Sequence, residues 1–230
     1  MPRIIKAIVV YMCAALQLNL IGMQNLAAAD DDVSNLEKTY DIVASEAVLI
    51  SGIDDLTIQV GQDPSLVITE RRDRLDKVSV ESSETLLSID AKGESWFSRR
   101  DYAAILTLPS LSDLEISGSF AAEIEGVSAD TLILQIAGSG DMIISGRCGR
   151  LDLESTGAVN IDASKLVCRD VAIDAAGAAN MHIFASGSLD VEGAGVTDVI
   201  YSGKPDKILS DVAGVGSVSE AEETDDKTTL

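Results

Sequence analysis

A glycine set among small residues returns along the C-terminal half of this chain at a nearly constant interval. LEISGSFAAEIEG (114–126), LQIAGSGDMIISG (134–146) and LESTGAVNIDAS (153–164) each place such a kernel between strand-like runs. The kernel glycines Gly118, Gly138, Gly157, Gly177, Gly193 and Gly214 are separated by 20, 19, 20, 16 and 21 residues. A period of this size signals stacked structural units, each too small to bury its apolar face alone. Four positions before the glycines stand Leu114, Leu134, Leu153, Ile173, Leu189 and Ser210, and three before stand Glu115, Gln135, Glu154, Asp174, Asp190 and Asp211. Apolar and polar positions that alternate in this way describe a strand with one buried face. Ile124, Ile144, Ile183 and Val199 mark a second strand after the bend. Glycine takes backbone angles closed to other residues, and small neighbours let successive bends approach closely. The expected fold is therefore all-β, a parallel β-helix or solenoid with coils of about 20 residues. A hairpin sandwich is the alternative, but it would not need every copy to keep the same in–out phase.

Aromatic residues make up only 3% of the 230 positions, so the core must be built from Ile, Leu, Val and Ala. Such side chains suit thin, regularly stacked layers. The segment 39–110 is strand-rich but less regular than 111–218, with alternating or apolar runs at 56–61, 65–70, 77–82, 86–90 and 102–109. Pro64 and Gly93 mark turns or loops there. This part is expected to continue or cap the stack, because an open end would expose unpaired strand edges. The acidic, apolar-poor flanks 30–38 and 219–230 are expected to be disordered.

The first 29 residues are expected to be a signal peptide. Arg3 and Lys6 precede an apolar run at 7–23, and Ala27-Ala28-Ala29 precede Asp30 as a small-residue cleavage site. Gln17 and Asn19 interrupt that run, so it falls short of the roughly 18 apolar residues that a membrane span needs. No transmembrane segment is expected in the mature chain. Loss of Arg3 and Lys6 lowers the basic count from 17 to 15 against 38 acids, a net charge of −23. A surface so acidic repels nucleic acid and favours cations, basic partners or neutral sugars.

The kernels SGSF (117–120), AGSG (137–140), TGAV (156–159), AGAA (176–179), EGAG (192–195) and AGVG (213–216) resemble those of the head GIN family of secreted bacterial proteins. LTLPSLSDLEISG (106–118) and YSGKP (201–205) extend the resemblance, which covers roughly residues 40–218. That family is described as autotransporter adhesin heads. The resemblance implies a right-handed β-helix-like fold over a GIN-type domain at 39–218 and a location in the periplasm, at the cell surface or outside the cell. It implies no established activity. No membrane barrel follows the repeats, so self-translocation is not expected.

No residue announces a catalytic chemistry. The one histidine, His182, lies between Met181 and Ile183, so it faces solvent if those face inward. No nucleophile elbow, Cys–His context or metal cluster accompanies it. GSGD (138–141) looks like a calcium-repeat fragment, but no nine-residue period follows. Trp96, Phe97, Arg99, Arg100 and Tyr102 in GESWFSRRDY (93–102) form a candidate binding patch, with aromatic faces beside hydrogen-bond donors. The competing reading makes the aromatics a plug for the end of the core, and ERRDR (70–74) reads as a solvated loop. Glu115, Glu154, Asp174, Asp190 and Asp211 are expected to form an acidic ladder on one outer face, with equivalent side chains about 4.8 Å apart. Cys148 and Cys168 both stand nine residues before a kernel glycine, and an exported chain carrying this pair is expected to close a disulfide. The expected function is a non-catalytic binding, adhesion or surface-scaffold module, without cofactor, whose partner is an envelope glycan or protein and not nucleic acid. The alternative is a glycan-active lyase or hydrolase on the same fold, which would need converging carboxylates and a basic residue.

Overall fold

A computed structural model of the chain describes residues 36–70, 77–91 and 102–222. These residues form nine strands: β1 (Leu36–Tyr40), β2 (Ala47–Ser51), β3 (Asp55–Val60), β4 (Ser65–Glu70), β5 (Val78–Ser82), β6 (Leu87–Ala91), β7 (Tyr102–Leu108), β8 (Asp113–Ser202) and β9 (Lys207–Glu220). They join in one sheet of order β1-β4-β7-β3-β8-β2-β6-β5, with β9 paired to β8. All belong to one compact unit, Val33–Leu230.

The expectation of a right-handed parallel β-helix is corrected by this topology. The fold is all-β, but it is a nearly closed barrel of mixed sheet. β1 pairs with β4, β4 with β7 and β5 with β6 in antiparallel fashion, while β2, β3 and β9 lie parallel to β8. The cause is local. Between β5 and β6 the Ser83 amide donates to the Leu86 carbonyl at 2.9 Å, and the Leu86 amide donates back to Ser83 Oγ at 3.0 Å. That short turn makes a hairpin, and a hairpin dictates antiparallel neighbours. Alternation in the sequence fixes which face is buried, whereas it is silent on the direction of the neighbouring strand.

β8 is a 90-residue extended run that bends at glycines and whose own segments lie side by side. A Cβ at Gly138 would overlap the carbonyl oxygen of Gly118; Gly157 bears the same relation to Gly138, Gly177 to Gly157, Gly195 to Gly177 and Gly214 to Gly195. This column corrects the expected one at its fifth member. Gly195 stands opposite Gly214, whereas Gly193 stands opposite Val212. The glycine at 193 serves packing: a Cβ there would come within 3.0 Å of Thr197 Oγ1.

The core is aliphatic, as the composition requires. Leu114, Leu134, Leu153, Ile173 and Val191 are all buried, as are Leu132, Leu151, Val171 and Leu189. The flanks are shorter than expected. Leu36–Lys38 belong to β1, where Leu36 stands opposite Glu70 and Lys38 Nζ sits 4.3 Å from the centroid of the Tyr40 ring. At the other end Ser219 and Glu220 complete β9, opposite Ile200 and Tyr201. Strand pairing there outweighs the polar composition. The expected signal peptide, residues 30–35 of the acidic N-terminus and residues 223–230 of the tail lie outside the described residues.

Candidate functional site

Two outward rows of side chains build a trough on β8. Asp141, Asn160 and Asn180 each stand three residues after a bend glycine, on neighbouring segments of the strand. Asn180 Nδ2 donates to Asn160 Oδ1 at 3.1 Å, and Asn160 Nδ2 donates to Asp141 Oδ1 at 2.7 Å. Two residues farther along the same segments stand Ile143, Asp162 and His182. Between the rows lies a groove of about 370 Å³, which Met142 and Ile161 also line. The side chains of those two residues turn into the core.

The electrostatics of the groove are local. Ser164 Oγ donates to Asp162 Oδ1 at 2.6 Å and the Ser164 amide donates to the same oxygen at 3.1 Å. These bonds, with a smaller contribution from His182 and Lys165, hold the Asp162 carboxyl below the usual carboxylate range. His182 is exposed, since Met181 and Ile183 on either side are buried. Ile143 is 51% exposed and supplies an apolar wall. The groove thus offers amide donors and acceptors, two carboxylates, an imidazole and one aliphatic surface.

A second hollow, about 400 Å³, lies among Ser128, Asp130, Arg147 and Gly149 beside Cys148. Arg147 Nε donates to Ser128 Oγ at 3.3 Å. Cys148 and Cys168 are joined as a disulfide, with their Cα atoms 4.5 Å apart. Ser186 is their neighbour on the next segment, with its hydroxyl 3.4 Å from the Cys168 carbonyl.

The other sequence-derived candidates fare differently. Trp96, Phe97, Arg99 and Arg100 lie outside the described residues, as do residues 71–74 of ERRDR. Tyr102 is a core residue, 4% exposed, with its amide donating to Asp54 Oδ2 at 3.2 Å, so it cannot serve an exposed patch. The acidic row changes one member. Glu192, not Asp190, stands opposite Asp211, while Asp190 faces Leu209. The shift of two residues follows from the glycine at 195 replacing that at 193 in the stacked column. Gln135 bridges the row by donating to Glu154 Oε2 at 3.4 Å. The Asp141–Asn160–Asn180 row escaped the sequence reading, although its signal was present: each residue holds the same offset from Gly138, Gly157 or Gly177.

Residues 46–205 match the protein family described as "Putative auto-transporter adhesin, head GIN domain". The chain belongs to the head GIN family. This GIN domain is similar to the crystal structure of a "putative adhesin" from Bacteroides fragilis NCTC 9343, with TM-score 0.63 and 18% identity over 82% of this chain and 97% of that one. It is also similar to that of a "putative adhesin" from Parabacteroides merdae ATCC 43184, with TM-score 0.52 and 14% identity over 83% and 98% of the two chains. At such identities the likeness establishes a shared fold. No curated protein matches the chain.

Proposed function

We propose that this GIN domain is a secreted or cell-envelope binding module without catalytic activity, used for adhesion or as a surface scaffold. The family match carries the reading, because the family is described as a "Putative auto-transporter adhesin" head and not as an enzyme. Three further features support it. The apolar run and Ala27–Ala29 at the N-terminus suit export, with the mature chain starting at Asp30. The Cys148–Cys168 bond suits an oxidising compartment. The outer face of β8 presents a groove within reach of a large partner and lined by groups that bind without needing to react. An envelope glycan or protein is the expected partner.

The test combines location with binding. The full chain, tagged at its C-terminus and expressed in a Gram-negative host, is fractionated and its N-terminus sequenced. The purified exported protein is then measured for saturable retention on intact bacterial cells. Export with an N-terminus at Asp30 and saturable retention are expected. Cytoplasmic retention of the chain with residues 1–29 intact, together with no binding to cells, would contradict the reading.

A further inference from the structure

The geometry points to the groove between the Asp141–Asn160–Asn180 row and the Ile143–Asp162–His182 row as the site for an uncharged glycan. This assignment rests on the binding-module reading and names its ligand.

The hydrogen-bond inventory comes first. After the two amide bonds along the row, Asn180 keeps one N–H and its carbonyl oxygen, Asn160 keeps one N–H, and Asp141 keeps its second carboxylate oxygen. Donors and acceptors therefore remain along three segments spaced about 4.8 Å apart, a ladder roughly 10 Å long. A hydroxyl both donates and accepts, so a polyhydroxylated chain can satisfy every position of such a ladder. The internal amide bonds also fix the side chains before a ligand arrives, which lowers the ordering cost of binding.

Charge decides against anionic ligands, and geometry against cationic ones. Asp141 and Asp162 border a groove in a chain of net charge −21, so uronic acids, sialic acids and phosphates are repelled. A cation or basic peptide would need carboxylates free to converge. Here Asp141 and Asp162 each have one oxygen accepting, from Asn160 and from the Ser164 amide and hydroxyl, and they stand on different rows and different segments. Among the described residues no group of three or more His, Cys, Asp or Glu is placed to hold a metal. The middle and the far end of the row, Asn160 and Asn180, are neutral amides. Ile143, half-exposed, gives the C–H face of a sugar ring an apolar wall, and the groove's 370 Å³ falls in the range of small-ligand sites.

The probes are uncharged polysaccharides (glucan, mannan, galactan and N-acetylglucosamine oligomers), polygalacturonate and hyaluronan as anionic counterparts, and polylysine as a basic peptide. They are tested against the full exported chain, Asn160→Ala/Asn180→Ala and the isosteric Asn180→Asp, with circular dichroism confirming that each variant is folded. At least one uncharged polymer is expected to bind, with little change up to about 0.5 M salt. The double variant is expected to lose at least about tenfold in affinity and Asn180→Asp to weaken the same polymer. Binding to polylysine alone, abolished by salt, would overturn the glycan assignment. So would cell binding without binding to any uncharged polymer, although the binding-module reading would then stand. Uncharged-polymer binding unaffected by both variants would overturn the groove. Failure of the wild-type chain to bind either cells or polymers would overturn both readings.

Discussion

Asp162 and Thr197 show how single side chains set local energetics in this GIN domain. The Asp162 carboxyl is lowered first by the Ser164 hydroxyl and then by the Ser164 amide. A carboxyl with a depressed folded pKa contributes stability that is complete above its unfolded value, about 3.9. That contribution is lost as pH falls through the lower folded value. Ser164→Ala is expected to move the Asp162 midpoint up toward the ordinary range, read by carbon-detected NMR titration of the carboxyl; an unmoved midpoint would contradict the assigned cause. Thr197 presents the opposite situation. Its side chain is fully buried and Oγ1 has no hydrogen-bond partner among the described residues, so the desolvated hydroxyl is uncompensated by them. Thr197→Val keeps the shape and is expected to raise unfolding stability by about 1 kcal/mol in urea titration, whereas a loss of that size would reveal a partner for the hydroxyl. The site was less legible in the sequence than these energetics suggest. A polar side chain that faces outward obeys the same alternation whether or not it binds, so Asn160 and Asn180 looked like ordinary surface residues. Only their shared offset from the bend glycines marks them as neighbours. The fifth glycine misled for a related reason: Gly193 and Gly195 both fit the small-residue kernel, and only the pairing of Gly195 with Gly214 separates the bend from the packing position.

The bend is the element on which the long strand depends. Gly177 has φ +123°, and a Cβ there would overlap the Gly157 carbonyl oxygen. Backbone strain and overpacking each cost roughly 1–3 kcal/mol. Gly177→Ala is therefore expected to lower unfolding stability by about 2–4 kcal/mol, while Ala176→Ser on the exposed neighbour stays within about 0.5 kcal/mol. Equal effects at the two positions in chemical denaturation would contradict the stacked column. Between the same segments the Cys148–Cys168 bond spans 20 residues. Closing a loop of that length stabilises by roughly 3 kcal/mol in the chain-entropy model. Non-reducing mass spectrometry of the protein purified without reductant is expected to find no alkylated thiol at either cysteine, and reduction is expected to lower the unfolding midpoint; two alkylated thiols in native material would contradict the bond. The strands from β3 to β7 were legible to within a residue or so, because their apolar residues alternate cleanly or run together. β2, AVLIS (47–51), was missed although it is as long as the run at 86–90 that located β6, and so was β1, whose charged LEKTY (36–40) is held by pairing with β4. The mixed topology was not legible at all. Strand direction depends on which connection is a tight turn, and Ser83–Leu86 carries no glycine or proline to announce one.

At the scale of the molecule, a strongly acidic GIN domain carries a groove bordered by the hydrogen-bonded Asp141–Asn160–Asn180 row. In the proposed binding mode net charge disfavours anionic polymers, while hydrogen bonds from the amide row would be little affected by salt. The glycine column joins the two properties. It brings segments 19 and 20 residues apart into contact, and so sets Asp141, Asn160 and Asn180 in one line. His182, the chain's one histidine, borders that line and reports on it without interference from any other imidazole. The most direct measurement is NMR of the His182 ring during titration with a soluble oligosaccharide of whichever uncharged polymer the protein retains. The account predicts that the His182 ring signals and the Asn160 and Asn180 side-chain amide signals shift together and saturate with the binding isotherm. Saturable binding that leaves all three sets of signals in place would contradict it.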